Sequence, residues 1–346
     1  MFDLQCRRLA SRRVILVGFG LCILALWAHG IDRSCVRELM AQTEPTPVAG
    51  KPASGFQAVG FPTIAEPGVV ASTATAPAAI TWRESYGEGW RAAEHERRLL
   101  LLQLWTPSDR KAAEVWRRET TNTTALRERL EGYVLAHCDA SQSATVADAN
   151  AIGRHPAFAE LRGRSGLAIV DLQSTGRSSY GRVISLVPAV GTGDATRFPS
   201  VASVQVLLDL PVGSLTQRTL IYAVRLHPER PRSTNGLSNP LLMEEAEKHS
   251  SYQASIGVQG HHAWDRRFHA INARLPSGAI AQEVCAESWP GQDLFAAAIE
   301  CVHSWRQSSG HWSAVSGHQT FFGYDMKRGS NGVWYATGIF GRVRGL

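Results

Sequence analysis

The sequence predicts an α/β protein of two domains, and two observations support that prediction. Its 346 residues fit two domains on the usual scale of roughly 100–200 residues each. In the first half, strand-like apolar runs alternate with helix-like segments, which predicts a sheet with at least one parallel pair of strands. Apolar residues make up 44% of the chain, enough for packed cores.

The first predicted domain covers residues 80–190. Buried strands are predicted where apolar runs are bounded by turn residues, at 99–105, 133–139 and 167–172. Helices are predicted around them, over 82–98, 110–120 and 126–130. Glycine, threonine and proline gather at 191–200 and mark a boundary, so a connector is predicted over 191–213, extended at 201–211.

The second predicted domain covers residues 214–346. Apolar residues recur at helical spacing in three segments, 215–230, 241–254 and 294–305. Two strand-like runs follow near the end of the chain. Ser330, Asn331 and Gly332 separate these runs, and this turn sequence is typical of a hairpin.

Residues 1–35 are predicted to be a signal peptide or a membrane anchor. Four arginines precede an uncharged apolar run over 14–28, which is the order found in export signals. Basic residues on that side place the rest of the chain outside the cytoplasm. We expect an exported protein, either anchored in the inner membrane and facing outward or secreted to the periplasm after cleavage. A disordered linker rich in proline and alanine is predicted over 36–79.

The charge of the chain is mildly basic and evenly spread. Its net charge is +6, and the arginines lie mostly between acidic neighbours. No basic stripe forms, so we expect no nucleic-acid partner. The N-terminal segment predicts contact with a membrane instead.

Three of the six cysteines lie in the predicted domains, which is too few for a disulfide framework. Cys285 and Cys301 are the candidates for one disulfide in an oxidising compartment. The alternative is that both are buried thiols that pack as small apolar side chains. The sequence leaves both interpretations open.

Features of the first domain follow a known order. An entry tryptophan, a buried strand ending in Trp105, a helix directly after it and the run GRSGLAIVDL resemble the thioredoxin-like fold over residues 80–188. Redox-active members carry Cys-x-x-Cys at the turn after that strand, where the helix N-terminus lowers the pKa of the first thiol. Here the turn is WTPSDRKAA, without cysteine, and the usual proline before the later strand is replaced by Ser165 and Gly166. The resemblance therefore implies a redox-inactive module.

Motifs of the last third also follow a known order. Three helices, a Gly-His-x-x-Trp segment, the segment AESW, a Trp-x-x-Ser-x-Gly-His segment and a hairpin with WY and FG occur in turn. This order resembles the CAP superfamily, which includes cysteine-rich secretory proteins, antigen 5, plant pathogenesis-related proteins and bacterial SCP-like proteins. The resemblance implies an α-β-α sandwich with a central antiparallel sheet.

The CAP resemblance also implies a cleft lined by two histidines and a glutamate. His261 of GHHAW matches the first histidine of the bacterial members, with His262 as the alternative. Glu287 of CAES matches the family's glutamate, and His311 matches the second histidine. Many eukaryotic members have another glutamate where this chain has Ser308, so the set is incomplete.

Two neutral imidazoles with open coordination positions suit zinc or another divalent metal. We expect His261 and His311 to be the metal ligands, with Glu287 beside them. Considered without the resemblance, each of these three side chains is better explained as structural, capping a helix or bonding to backbone.

The sequence thus predicts an extracytoplasmic, membrane-tethered or secreted binding protein, whose partner is an apolar ligand or another cell-envelope protein. One alternative is a metal-assisted hydrolase of envelope peptide or glycan, with Glu287 as base and His311 as metal ligand. Another alternative is a structural envelope scaffold. The chain has Ser308 where many CAP members have a glutamate. The missing carboxylate favours binding over catalysis. A Ser–His pair using Ser309 lacks a nucleophile-elbow motif.

Overall fold

The computed structural model describes residues 80–145 and 148–343. The predicted leader over 1–35 and linker over 36–79 lie outside these residues. The fold is α/β with two main sheets, as the sequence predicts. In the part of the chain that is described, no helix is both long and apolar enough to span a membrane.

Among the described residues of the first half of the chain there are seven strands. They are β1 (Trp82–Arg83), β2 (Leu99–Trp105), β3 (Tyr133–Asp139), β4 (Ser143–Thr145), β5 (Asp148–Ala151), β6 (Gly166–Val170) and β7 (Val183–Pro188). Five of them form one sheet in the order β1–β3–β2–β6–β7, while β4 and β5 pair separately. The pairs β1–β3 and β3–β2 are parallel, which confirms the prediction of a parallel pair, and β6 and β7 are antiparallel.

From residue 80 onward, the described part of this half has four α-helices: α1 (Tyr86–Glu96), α2 (Arg110–Asn122), α3 (Thr124–Leu130) and α4 (Val201–Leu208). The helix predicted to start at residue 82 starts later, because the first two of its residues form β1. Ser85 caps α1, with its hydroxyl oxygen accepting a hydrogen bond from Glu88 N at 3.2 Å.

The prediction of an extended segment over 201–211 is wrong, because α4 occupies most of it. Its apolar residues follow one another without alternation, and such a run does not distinguish a buried helix from a buried strand. Ser200 favours the helix over an extended segment. Its side-chain oxygen accepts a hydrogen bond from Ser203 N at 3.2 Å and so caps the N-terminus of α4. Val204 and Leu207 are then buried.

The second half, as far as the structure describes it (to residue 343), contains four strands and five helices. The strands are β8 (Leu237–Ser238), β9 (Ala279–Glu287), β10 (Phe321–Arg328) and β11 (Trp334–Val343). The helices are α5 (Leu215–Leu226), α6 (Pro240–Ile256), α7 (Trp264–Asn272), α8 (Leu294–Gln307) and α9 (Ser309–Ser316). The sheet order is β8–β10–β11–β9, and the predicted hairpin is the antiparallel pair β10–β11.

This sheet lies between two helical layers, because alternate side chains of its strands face opposite sides. On one face, Tyr324 and Phe340 pack in a core shared with α5, α8 and α9. On the other face, Ala281 and Ile339 pack against α6 and α7. At Gly323 a Cβ atom would lie 2.2 Å from the backbone of Leu242 in α6, so glycine is what allows that helix to sit against β10.

The two sheets are joined through α5, which packs against both β7 and β10. Arg218 of α5 is buried, and its Nε atom donates to Ser185 Oγ of β7 at 2.7 Å. The same guanidinium donates to the carbonyl oxygens of Leu210 and Pro211 in the connector, at 2.9 and 2.8 Å. One apolar core therefore continues from the first sheet to the second.

Candidate functional site

The site is built on β9, where side chains alternate between the two faces of the sheet. Ala281, Glu283 and Cys285 share the face covered by α6 and α7, because they are two residues apart along the strand. The Glu283 side chain has 0% exposure to solvent. A buried carboxylate needs compensating partners, since removing a charge from water is costly.

Three nitrogen-bearing side chains surround the Glu283 carboxylate. Its Oε1 atom lies 3.0 Å from His261 Nδ1. Its Oε2 atom lies 2.6 Å from Arg267 Nη2 and 3.3 Å from His249 Nδ1. The approach of Arg267 is an ion pair whose angles fall outside hydrogen-bond geometry. The carboxylate thus joins α6, α7 and the loop between them to β9.

These contacts set the ionisation of the buried groups. Burial raises the pKa of Glu283, but the hydrogen bond from His261 and the Arg267 guanidinium outweigh it, and the pKa lies below its ordinary value. Burial lowers the pKa of His249 to about 4, against a smaller opposing effect of Glu283. At neutral pH the site therefore contains an ionised Glu283, a cationic Arg267 and a neutral His249.

The two predicted histidines meet beside this carboxylate. His261 lies in the loop before α7, and its Nε2 atom is 3.3 Å from His311 Nε2. An ionised Glu283 only accepts hydrogen bonds, so Nδ1 of His261 carries the proton. In a neutral His261 the lone pair is then on Nε2, which faces His311. Burial, together with the neighbouring His261, lowers the pKa of His311 and keeps it neutral at physiological pH.

His262, the alternative to His261, points elsewhere. Its Nε2 atom lies 3.1 Å from the carbonyl oxygen of Val258, and its ring packs edge-on against Tyr252. His261 is 41% exposed at the side chain, so its free nitrogen is accessible to a ligand.

Glu287 does not take the position that the sequence predicts for it. It is the last residue of β9, it is exposed, and its Cα partner is Tyr335. Among the residues that the structure describes, no hydrogen bond or ion pair joins Glu287 to either histidine. Glu283, which comes earlier on the same strand, contacts His261 instead. Glu283 is in register with the apolar Ala281 and Cys285, but so is Glu287, and the alternation of β9 therefore does not distinguish the two glutamates.

His311 lies in a short helix and not in a loop. Ser308 ends α8 and begins α9 without a capping hydrogen bond from its side chain. His311 is the third residue of α9, and Trp312, which follows it, donates from Nε1 to Glu229 Oε2 at 3.1 Å. The position that carries a glutamate in many CAP proteins is thus a helix junction here.

Cys285 and Cys301 are free and buried in the structure, which is the second of the two arrangements that the sequence leaves open. Cys301 packs within the core beside α5. Cys285 lies beneath the histidines, with its Sγ atom 3.7 Å from both His249 Nδ1 and His261 Nδ1. Burial and the nearby Glu283 carboxylate raise the pKa of the Cys285 thiol, so it stays protonated.

His249, Glu283 and Cys285 lie close enough together to share one metal ion. Their chemistry does not fit that role. The Arg267 guanidinium already supplies a positive charge to Glu283, and metal ligation by cysteine requires the thiolate. Of the described residues, His261 and His311 are the better pair for an exchangeable ion.

No family model matches the chain, and no curated protein matches it either. Among solved structures the chain is similar to an outer surface protein from Borrelia burgdorferi, at 14% identity and a TM-score of 0.26. That similarity covers 32% of this chain and 78% of the other, and at such a TM-score it supports no inference. The thioredoxin-like and CAP resemblances stay predictions from sequence.

Proposed function

We propose that the chain is an extracytoplasmic binding protein, membrane-tethered or secreted, that holds a divalent metal such as zinc between His261 and His311. The observation that supports it is the 3.3 Å separation of the two Nε2 atoms. Zinc binds imidazole nitrogen at about 2.0–2.1 Å with tetrahedral angles, so two such ligands lie about 3.3 Å apart. The pair therefore has the spacing of two ligands on one ion, and without an ion the same distance is that of a hydrogen bond between the two imidazoles.

Glu283 supports the same proposal. Metal-binding histidines commonly donate their second N–H to a carboxylate, which fixes the tautomer and the ring orientation. His261 has this arrangement, with Nδ1 at 3.0 Å from Glu283 Oε1. With two protein ligands, an ion at this site keeps coordination positions for a donor atom of a ligand, and its binding is exchangeable.

The arrangement favours binding over metal-assisted hydrolysis. A hydrolase needs a base within reach of a metal-bound water. Both oxygens of Glu283 lie against His261, Arg267 and His249, and among the described residues no hydrogen bond or ion pair joins Glu287 to either metal-ligand candidate. Glu283 is thus suited to orienting His261 and not to accepting a proton from water.

An apolar ligand or partner protein fits the surface beside the site. Tyr252, Ile256 and Val258 are exposed at the end of α6, and Tyr252 packs against His262, the neighbour of His261. The basic and apolar order of the first 35 residues supports export. We therefore expect the partner to be a molecule of the cell envelope.

Calorimetric titration of the full chain with zinc chloride tests the metal part of the proposal. We expect one binding event that weakens at least about tenfold in His261→Ala and in His311→Ala, since each removes one of two ligands. His318→Ala is the matched control, because His318 is exposed and outside the site. Zinc affinity unchanged in His311→Ala overturns the proposal.

A further inference from the structure

A cavity of about 250 Å³ lies at one end of the first sheet, and its lining includes no residue of the histidine site. Trp105 and Asp139, the last residues of β2 and β3, form part of its wall, and Glu84 follows β1. These three strands are parallel, so their carboxyl ends meet at this edge. In α/β sheets the crevice outside the carboxyl ends of the strands is a common place for ligands.

The floor of this cavity is a block of four side chains on one face of the sheet. Gln103 and His137 are Cα partners, and so are Trp105 and Asp139. Residues two apart on a strand point to the same side, so the four lie next to each other beneath α2. Gln103 Nε2 donates to the carbonyl oxygen of Ala113 in α2 at 3.0 Å, which fixes the amide.

The carbonyl oxygen of the Gln103 amide lacks a hydrogen bond within the ranges that the structure describes. Gln103 is 1% exposed, and its Oε1 atom has no hydrogen-bond partner among the described residues. Buried carbonyl oxygens in native proteins are nearly always bonded, because leaving one unbonded is costly. A ligand that donates a hydrogen bond to Gln103 Oε1 would remove this cost.

The charges around the cavity indicate the charge of that ligand. Both arginines of the lining are paired with glutamates, Arg110 with Glu114 at 2.9 Å and Arg117 with Glu84 at 3.7 Å. Asp139 has no ion-pair partner in the described part of the chain. Its Oδ1 atom accepts hydrogen bonds from Ser141 N and Oγ, which leaves Oδ2 for a ligand.

We propose that this cavity binds a small primary amine in its ammonium form. The ammonium group has three donors and no acceptor, which matches the Gln103 carbonyl and the unpaired Asp139 carboxylate. Its alkyl part would lie against the half-buried Trp105 ring. The volume is below the roughly 300–1,000 Å³ of sites for drug-sized ligands, so the amine is small. A carboxylate ligand would be repelled by Asp139.

Titration of the full chain with butylamine tests the proposal, with butanol and butyrate as neutral and anionic probes of the same length. The indole N–H signal of Trp105, identified by its loss in Trp105→Phe, reports binding by NMR. We expect a saturable shift with butylamine alone. Asp139→Asn and Gln103→Met should each weaken it about tenfold, because the first removes the negative charge opposite the ammonium group and the second removes a hydrogen-bond acceptor.

Glu128→Gln is the matched control, since it removes the same charge from an exposed position on α3 outside the cavity. Its butylamine affinity should equal that of the wild type. Absence of a saturable shift in the wild type overturns the proposal, as does equal binding of butanol or butyrate. Unchanged affinity in Asp139→Asn also overturns the proposal. Asp139 is only half-buried, so this variant can be tested even if Gln103→Met disturbs folding.

Discussion

Arg267 Nη2 of α7 lies 2.6 Å from Glu283 Oε2 of β9, and the other oxygen of the same carboxylate contacts His261 of the histidine site. The Glu283 carboxylate is fully buried, so its charge depends on Arg267 and the surrounding histidines. The pair therefore has two roles. It stabilises the packing of α7 on the sheet, and it holds Glu283 in the form that orients His261.

Replacement of Arg267 by methionine should destabilise the protein. Breaking a buried ion pair leaves an uncompensated charge, and we expect a loss of about 3 kcal/mol in the free energy of unfolding, the lower end of the usual range. Urea unfolding measures it. Arg266→Met on the same helix is exposed and should change stability by no more than about 0.5 kcal/mol. Equal effects of the two substitutions would contradict a stabilising pair.

Zinc affinity should distinguish the two glutamates of β9. Glu283→Gln keeps the volume but removes the charge that orients His261, so we expect affinity to fall about 10–100-fold. Glu287→Gln should leave affinity unchanged, because Glu287 is exposed and, in the part of the chain that the structure describes, has no hydrogen bond or ion pair with either histidine. Calorimetry on both variants measures this, and the reverse order of effects would restore the role that the sequence predicts for Glu287.

Lowering the pH should reduce the free energy of unfolding through the protonation of His249. Its pKa is 6.5 in the unfolded chain and about 4 when folded, because burial disfavours the cation. Between these values the unfolded state binds the additional proton, so stability falls as the pH drops from 6.5 to 4. The shift corresponds to about 3 kcal/mol.

His249→Gln should remove that part of the pH dependence. The loss of unfolding free energy between about pH 7 and about pH 4 should shrink by about 3 kcal/mol, even if the variant is less stable throughout. His318→Gln should keep the wild-type loss. Glu283 contributes a further loss of stability at lower pH in the wild type and in His249→Gln alike. Its stabilisation is lost as the pH falls through its lowered pKa. An unchanged pH dependence in His249→Gln would show that His249 is not a buried neutral base.

The state of Cys285 and Cys301 can be measured by alkylation. Both are free and buried, so we expect neither to react in the folded protein and both to react in urea without reductant. Mass spectrometry of the peptides identifies the modified sites, and a reduced sample is the control. A linked peptide pair in the sample without reductant would establish the disulfide that the sequence left open.

Features that depend on local sequence could be predicted. The β10–β11 hairpin follows from the Asn331–Gly332 turn between apolar runs, and Gly332 has a positive φ of 78°. The parallel pair β2–β3 follows from two apolar runs separated by helices. The meeting of His261 with His311 rests on the order of the CAP motifs, because the segment between them has no local signal for contact.

Features that depend on register and packing could not be predicted. Whether Glu283 or Glu287 faces the histidines depends on where β9 ends against β11, which the alternation of β9 alone does not determine. The pairing of Arg267 with Glu283 requires α7 to pack on that face. The α4 helix was missed because its apolar run has no clear period.

The position of Arg218 has a consequence for the molecule as a whole. Its guanidinium bonds β7 of the first sheet and the connector while its helix packs on the second sheet. Unfolding of the first half alone would remove the Ser185 acceptor of Arg218 and the β7 surface against which α5 packs. The two halves should therefore melt cooperatively, in a single calorimetric transition whose measured enthalpy equals its van't Hoff enthalpy.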